Sequence, residues 1–134
     1  MRLRVLLAAA LLAGASGVAY AKTIGAAEAK KAFFNLDMYG VYEPDGVQWR
    51  ECIDAKGATQ YWFRGTFDVG RLTISDKGEL CFSYKSREYR EQSCYTAERK
   101  GQGWRFVNTV DPSIVFVATR ALPTNTCRGD APSA

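Results

Sequence analysis

The chain has 134 residues, of which 18 are Lys or Arg, 14 are Asp or Glu and none is His, for a net charge of +4. Without histidine it lacks the commonest general base of enzymes, the usual partner of a nucleophilic Ser or Cys, and the commonest transition-metal ligand. Two of the basic residues belong to a predicted signal peptide, so the charge after its cleavage is nearly balanced and does not indicate nucleic acid as a partner.

Residues 1–21 are predicted to be a secretory signal peptide. Arg2 and Arg4 precede the apolar run 5–13, and Ala19-Tyr20-Ala21 forms an A-x-A motif after which cleavage is expected. The alternative is an uncleaved membrane anchor, but the apolar run is shorter than the ~20 residues that a membrane-spanning helix needs. We therefore expect a periplasmic or secreted protein with no transmembrane segment in the mature chain.

One helix is predicted at the start of the mature chain, within residues 23–36, which are rich in Ala, Glu and Lys. Its apolar face would comprise Ala29, Ala32, Phe33 and Leu36, and Asn35 is a plausible stop. We expect this helix to cap one side or one end of a sheet. The alternative is a partly disordered N-terminal arm.

Short strands separated by turn residues are predicted through the rest of the chain. In the strand 47–53, Val47, Trp49 and Ile53 form the apolar face and Cys52 lies opposite. The other strands are expected at 38–42, 58–64, 66–69, 72–75, 80–85, 94–98, 104–107 and 114–117.

The stretch 63–106 is predicted to be a β-meander around which the domain is built. Phe67 and Val69 are expected on one buried face, and Leu72 and Ile74 repeat the alternation. Short connections throughout favour an up-and-down order of about eight antiparallel strands. The fold class is therefore mainly β, a barrel or sandwich over residues 22–121 with one N-terminal helix. A Pro-, Thr- and Ser-rich tail follows at 122–134.

The four cysteines allow three disulfide connectivities, and free buried thiols are the alternative. A hairpin that sets Cys81 opposite Cys94 brings their Cα atoms within disulfide range and leaves Arg87 and Glu88 as a two-residue loop, unless the loop is longer. Cys52, on the outer face of its strand, would then tether the tail through Cys127. We favour this pairing, which is typical of a small exported domain.

No catalytic constellation stands out, and we expect neither enzymatic activity nor a bound metal or cofactor. A glycosidase would need two carboxylates facing one cleft, but most candidates lie in or beside predicted turns. Ser83 and Lys85 share a strand face, which is common on exposed strands. The candidate carboxylates for a glycosidase pair are Glu43, Asp45, Glu51, Asp54, Asp68 and Asp76.

The aromatic residues on the predicted strands are the most suggestive feature. Most are expected to fill the core of a small β-fold. Tyr61, Trp62 and Phe63, however, put aromatic rings on both faces of one strand. We take these three residues as a candidate binding face, unless the helix covers it.

Three sequence motifs carry a resemblance to a known family. They are Gly65-Thr66-Phe67-Asp68-Val69, Leu80-Cys81-Phe82 and Cys94-Tyr95. In this order they resemble a proteobacterial family of small exported β-rich proteins of unknown function, with the pattern G-T-[WF]-x-V, L-C-[FYV] and a later Cys-aromatic pair. The resemblance implies the β-meander and the cysteine pairing, and it implies no activity.

The expected function is non-enzymatic binding of a small apolar molecule or of a cell-envelope component. An eight-stranded barrel is just wide enough to be filled by side chains or to hold one small ligand. The alternative is a protein-interaction module, such as an inhibitor of a lytic enzyme or protease, or a host-facing factor. The large aromatic residues argue mildly against a roomy cavity and so towards this alternative.

Overall fold

A computed structural model describes residues 23–127, and the predicted signal peptide lies outside the described residues, as does the tail beyond Cys127. One helix is followed by eight strands that close into a single antiparallel barrel. The elements are α1 (Ala26–Phe33), β1 (Leu36–Tyr42), β2 (Gln48–Ile53), β3 (Ala58–Phe63), β4 (Thr66–Ile74), β5 (Leu80–Tyr84), β6 (Gln92–Lys100), β7 (Gly103–Asn108) and β8 (Val115–Pro123).

Each strand pairs with its neighbours in sequence, and β8 pairs with β1 to close the barrel. This confirms the up-and-down meander and selects the barrel over the sandwich. Because side chains alternate along a strand, β2 turns Trp49, Glu51 and Ile53 inward and turns Arg50 and Cys52 outward.

The helix α1 closes one end of the barrel, as predicted. Ala29 and Phe33 are completely buried, and the Phe33 ring lies 4.8 Å from that of Trp104. The β4–β5 turn packs tightly against the start of the helix: Gly78 has φ +85°, and a Cβ there would lie 2.2 Å from the carbonyl oxygen of Ile24. Only glycine therefore allows this approach.

The helix is shorter than predicted. It ends at Phe33, and Asn35 follows with φ +57°. Asn tolerates this left-handed conformation better than most residues, so it redirects the chain at once into β1. Leu36, expected on the helix, is instead the first residue of that strand, where it pairs with Ile53.

The opposite end of the barrel is open, and we call it the mouth. Since successive strands run in alternate directions, the connections after β1, β3, β5 and β7 all gather there. These connections are residues 43–47, 64–65, 85–91 and 109–114.

The prediction that Phe67 and Val69 share a buried face was wrong. Residues 66–74 form one continuous strand, in which Leu72 is inward and 2 % exposed whereas Phe67 is outward and 50 % exposed. Because side chains alternate along all nine residues of this strand, Leu72 and Phe67 must lie on opposite faces, and only one of the two faces is inside the barrel. The inward positions near the mouth are instead Thr66, Asp68 and Gly70, which are small or polar.

The register of the β5–β6 hairpin was predicted correctly for Cys81 opposite Cys94, but its loop was not. Pairing stops where Ser83 faces Gln92, and a 3-10 turn over Lys85–Arg87 opens a seven-residue connection. Glu88 and Tyr89 then adopt positive φ in succession. The two-residue loop is thus replaced by a longer segment at the mouth.

Both predicted disulfides, Cys52–Cys127 and Cys81–Cys94, are present. Cys81 and Cys94 face outward on β5 and β6, and Cys127 returns to the outer face of β2. Strand β8 reaches Pro123, so the first two residues of the predicted tail belong to the sheet. Within residues 23–127, no helix is long and apolar enough to cross a membrane.

Candidate functional site

The barrel encloses a cavity of about 510 Å³ that opens at the mouth. We call it the barrel cavity. Its floor is set by side chains near the middle of the barrel, such as Met38, Trp49 and Phe106. Below them, Phe33 from α1 packs 5.5 Å from Phe106 and fills the closed end. The cavity therefore has one entrance.

Aromatic rings make up most of the cavity wall. They contact one another around the barrel: Tyr42 lies 4.9 Å from Phe116, and Tyr61 lies 5.3 Å from Tyr84 between ring centroids. Ring pairs at 4.5–7 Å in offset or tilted geometry are favourable, so the rings support each other. We call this set the aromatic wall. It comprises Tyr42, Trp49, Tyr61, Phe63, Phe82, Tyr84, Tyr95, Phe106 and Phe116.

Glu51 is the acidic side chain set into this wall from β2. It is 3 % exposed, because it occupies the inward position between Trp49 and Ile53. Its Oε2 accepts a hydrogen bond from the Tyr84 hydroxyl at 2.9 Å. Its Oε1 is buried, and so is the hydroxyl of Thr59 on the neighbouring strand, and neither atom makes a well-formed hydrogen bond. The Thr59 hydroxyl is nevertheless close enough to Glu51 to favour its charged form. Buried polar atoms without a partner are rare in folded proteins, so Oε1 of Glu51 needs an explanation.

Burial in the barrel raises the pKa of Glu51 to about 8, since the apolar surroundings disfavour its charged form. The hydroxyls of Tyr84 and Thr59 oppose this shift, and the nearby Asp68 charge adds to it. Burial also raises the pKa values of Tyr61, Tyr84 and Tyr95, which therefore stay neutral at physiological pH. At neutral pH the free site thus holds a mostly protonated carboxyl group among neutral phenols.

Tyr84 reaches Glu51 because β4 carries a glycine opposite it. Gly70 pairs with Tyr84, and a Cβ on Gly70 would lie 2.6 Å from the Tyr84 ring. The ring therefore lies directly over the backbone of β4. This contact fixes the hydroxyl that donates to Glu51.

Hydrogen bonds and ion pairs hold the β5–β6 loop at the mouth. Asp68 accepts hydrogen bonds from the backbone N–H and the hydroxyl of Ser86, which ties the β5–β6 loop to β4. In the same loop, Arg87 pairs with Glu91 at 2.9 Å. The oxygens of Asp68 are thus engaged in holding the loop.

Of the six candidate carboxylates for a glycosidase pair, the structure brings two into one cavity and places the other four elsewhere. Glu51 and Asp68 both line the barrel cavity. Glu43 pairs with Arg105, and Asp45 pairs with Arg64 at the β1–β2 turn. Asp54 and Asp76 lie in the turns at the helix end.

The three residues proposed as a binding face do not form one surface. Tyr61 and Phe63 point into the barrel cavity, whereas Trp62 points outward. There Trp62 packs 5.0 Å from Phe67, and the Arg50 guanidinium lies 4.4 Å above the Trp62 ring. Whether either face binds a molecule stays a prediction.

Glu51 was missed as a site residue, although a signal for it was present. It was grouped with carboxylates in or near turns, yet it stands at an inward position between Trp49 and Ile53. An acid on the apolar face of an alternating strand indicates a buried carboxyl group.

The described part of the chain contains no group of three or more Cys, Asp or Glu side chains arranged to hold a metal ion. Comparison with models of protein families, with curated proteins and with solved structures found no match.

Proposed function

We propose that this domain binds a small, largely apolar molecule in the barrel cavity and does not act as an enzyme. The observation that carries the proposal is an aromatic-lined cavity of about 510 Å³ with a single entrance. Small-molecule sites are typically concave, about 300–1,000 Å³ in volume, and mostly apolar with a few polar groups. The barrel cavity has all of these properties.

The shape of the aromatic wall supports binding over simple core filling. The sequence predicts that the large aromatic side chains fill the barrel. Near the mouth, however, they pack against one another along the cavity wall. Thr66, Asp68, Gly70 and Ser93 contribute small or polar inward positions beside them. Such an alternation of large rings and small neighbours leaves room for a planar or branched molecule.

The two disulfides indicate folding in an oxidising compartment outside the cytoplasm. We infer a periplasmic or secreted protein, in agreement with the signal peptide predicted at 1–21. In either place the ligand would be a small molecule of the surroundings or a small component of the cell envelope.

A neutral fluorescent probe, N-phenyl-1-naphthylamine, tests the proposal. We expect its emission to rise on binding to the wild type and to be lost in Ser93→Trp, because Ser93 faces into the cavity on β6. Thr96→Trp is the matched control, since Thr96 faces outward on the same strand. Equal emission from the wild type and Ser93→Trp, or no probe binding at all, would contradict binding in the barrel.

A second candidate is a protein-interaction module that uses the outer face of β3 and β4. It is favoured by Phe67, which is half exposed against Trp62 and lines a groove of about 690 Å³. Exposed aromatic side chains beside arginine are common in binding hot spots. Inhibition of a muramidase or a serine protease that is lost in Phe67→Ser would support this candidate. No inhibition by the wild-type protein at micromolar concentration would exclude both enzyme targets.

A further inference from the structure

We propose that the ligand carries a positively charged nitrogen, as a substituted ammonium group, which pairs with the Glu51 carboxylate inside the aromatic wall. The inference rests on the proposed function, because it requires a ligand in the barrel cavity. It specifies the chemical class of that ligand: an organic cation with apolar substituents.

The first support is the unpartnered oxygen of Glu51. An ionised carboxylate accepts several hydrogen bonds. Tyr84 donates one to Oε2, whereas the neighbouring Thr59 hydroxyl makes no well-formed hydrogen bond to Oε1. No ion pair among the described residues includes Glu51. A buried carboxylate without a cation is strongly unfavourable, which keeps Glu51 mostly protonated in the free protein. A ligand ammonium group would supply the opposite charge that stabilises the ionised form.

The second support is the composition of the aromatic wall, which lines the same cavity as Glu51. The faces of aromatic rings carry negative electrostatic potential and attract ammonium groups that lie within about 6 Å of the ring centre. In the aromatic wall, Tyr61 stacks on Tyr84, whose hydroxyl donates to Glu51, and Tyr42 contacts Phe63. A substituted ammonium group can bury its alkyl groups against these rings while its charge faces Glu51.

The third support is the sign of the other charges near the cavity. Asp68, whose charge acts on Glu51, is also acidic. Arg64 and Arg87 at the mouth are each paired with a carboxylate, Asp45 and Glu91 respectively. The interior therefore favours a cation over an anion. The titratable and charged groups that act on Glu51 or on its tyrosine neighbours are Tyr42, Tyr61, Arg64, Asp68, Tyr84 and Tyr95.

Binding of a cation should release the proton of the Glu51 carboxyl group. In the free protein Glu51 has a pKa of about 8 and is mostly protonated at pH 7. An ammonium ligand favours the carboxylate, so the carboxyl proton leaves to solvent as the ligand enters. Affinity for a permanently charged ligand should therefore rise about tenfold per pH unit up to about pH 8 and then level off.

Phenyltrimethylammonium and tert-butylbenzene test this inference, since they share shape and differ in charge. Each is titrated against the N-phenyl-1-naphthylamine complex between pH 6 and 8. We expect the cation to displace the probe more effectively as pH rises and tert-butylbenzene to show no pH dependence. Calorimetry of the cation in two buffers of different ionisation enthalpy should show release of about one proton at pH 7.

Glu51→Gln keeps the size and removes the charge. We expect it to weaken binding of phenyltrimethylammonium at pH 8 by tenfold or more, and to leave tert-butylbenzene binding unchanged. Glu28→Gln is the control, because Glu28 is exposed on α1, at the closed end of the barrel and away from the cavity. This variant should bind the cation as the wild type does.

Two results would overturn the inference while the proposed function stands. One is displacement of the probe by tert-butylbenzene but not by the cation at millimolar concentration. The other is equal binding of the cation by the wild type and Glu51→Gln without proton release. If Ser93→Trp binds the fluorescent probe as well as the wild type, the proposed function itself fails.

Discussion

A single residue, Glu51, distinguishes this barrel from a plain aromatic core. Its neighbours at the inward positions of β2 are Trp49 and Ile53, which are 6 % and 0 % exposed. An apolar residue in its place would fill the site without leaving an unpartnered oxygen. A carboxyl group buried in such surroundings is more common at functional sites than elsewhere, which supports the proposed binding site.

The burial of Glu51 makes stability depend on pH. Its pKa lies at about 8 in the folded protein against 4.5 in the unfolded chain, so the folded state holds more protons between these values. The free energy of unfolding should therefore fall as pH rises from about 4.5 to about 8 and level off above that. The loss attributable to Glu51 is on the order of a few kcal/mol.

Glu51→Gln measures this effect directly, because it removes the titrating group. We expect urea unfolding at pH 5, 6.5 and 8 to show that the free energy of unfolding of the variant increases relative to that of the wild type as pH rises. Parallel pH profiles for the two proteins would mean that Glu51 ionises normally in the folded state.

At the scale of elements, β4 explains why the barrel is not filled. Its apolar positions change face along the strand: Leu72 points inward near the helix, whereas Phe67 points outward near the mouth. The half of β4 beside the mouth therefore contributes Asp68 and Gly70 to the interior. This shift in pattern leaves the volume that becomes the barrel cavity.

The helix α1 is the other decisive element, since it closes the floor with Phe33. We expect Phe33→Ala to lower the free energy of unfolding by about 3–5 kcal/mol, because it empties a fully buried site between Trp104 and Phe106. Phe67→Ala makes the same change on the half-exposed outer face and should cost less than about 1 kcal/mol. Equal losses in chemical denaturation would show that α1 does not seal the barrel.

At the scale of the whole molecule, local signals in the sequence predict much of the fold. Gly and Pro turns delimit the strands, and the spacing of Cys81 and Cys94 predicts the register of one hairpin. The sequence did not predict that the apolar residues of β4 change from the outer to the inner face along the strand. The runs 66–69 and 72–75 each alternate, and this pattern is the same whether they form one strand or two. The inward position of Glu51 was readable from β2, but the depth of the cavity around it depends on all eight strands.

The two disulfides should contribute unequally to stability. In the chain-entropy model, the link between Cys52 and Cys127, 75 residues apart, stabilises by about 4.5 kcal/mol. The link between Cys81 and Cys94, 13 residues apart, stabilises by about 3 kcal/mol. Urea unfolding of the two double Cys→Ser variants should thus show the larger loss for Cys52 and Cys127, and the reverse order would show that hairpin geometry outweighs loop length.

Closure of β8 onto β1 also limits the ways in which other polypeptides can bind to this protein. A sheet with free edges offers unpaired backbone N–H and C=O groups to which another polypeptide can add a strand. In this barrel each of the eight strands has a partner on both sides. Any protein partner of residues 23–127 must therefore recognise side chains and loops, and self-association by edge-to-edge pairing would first require the barrel to open.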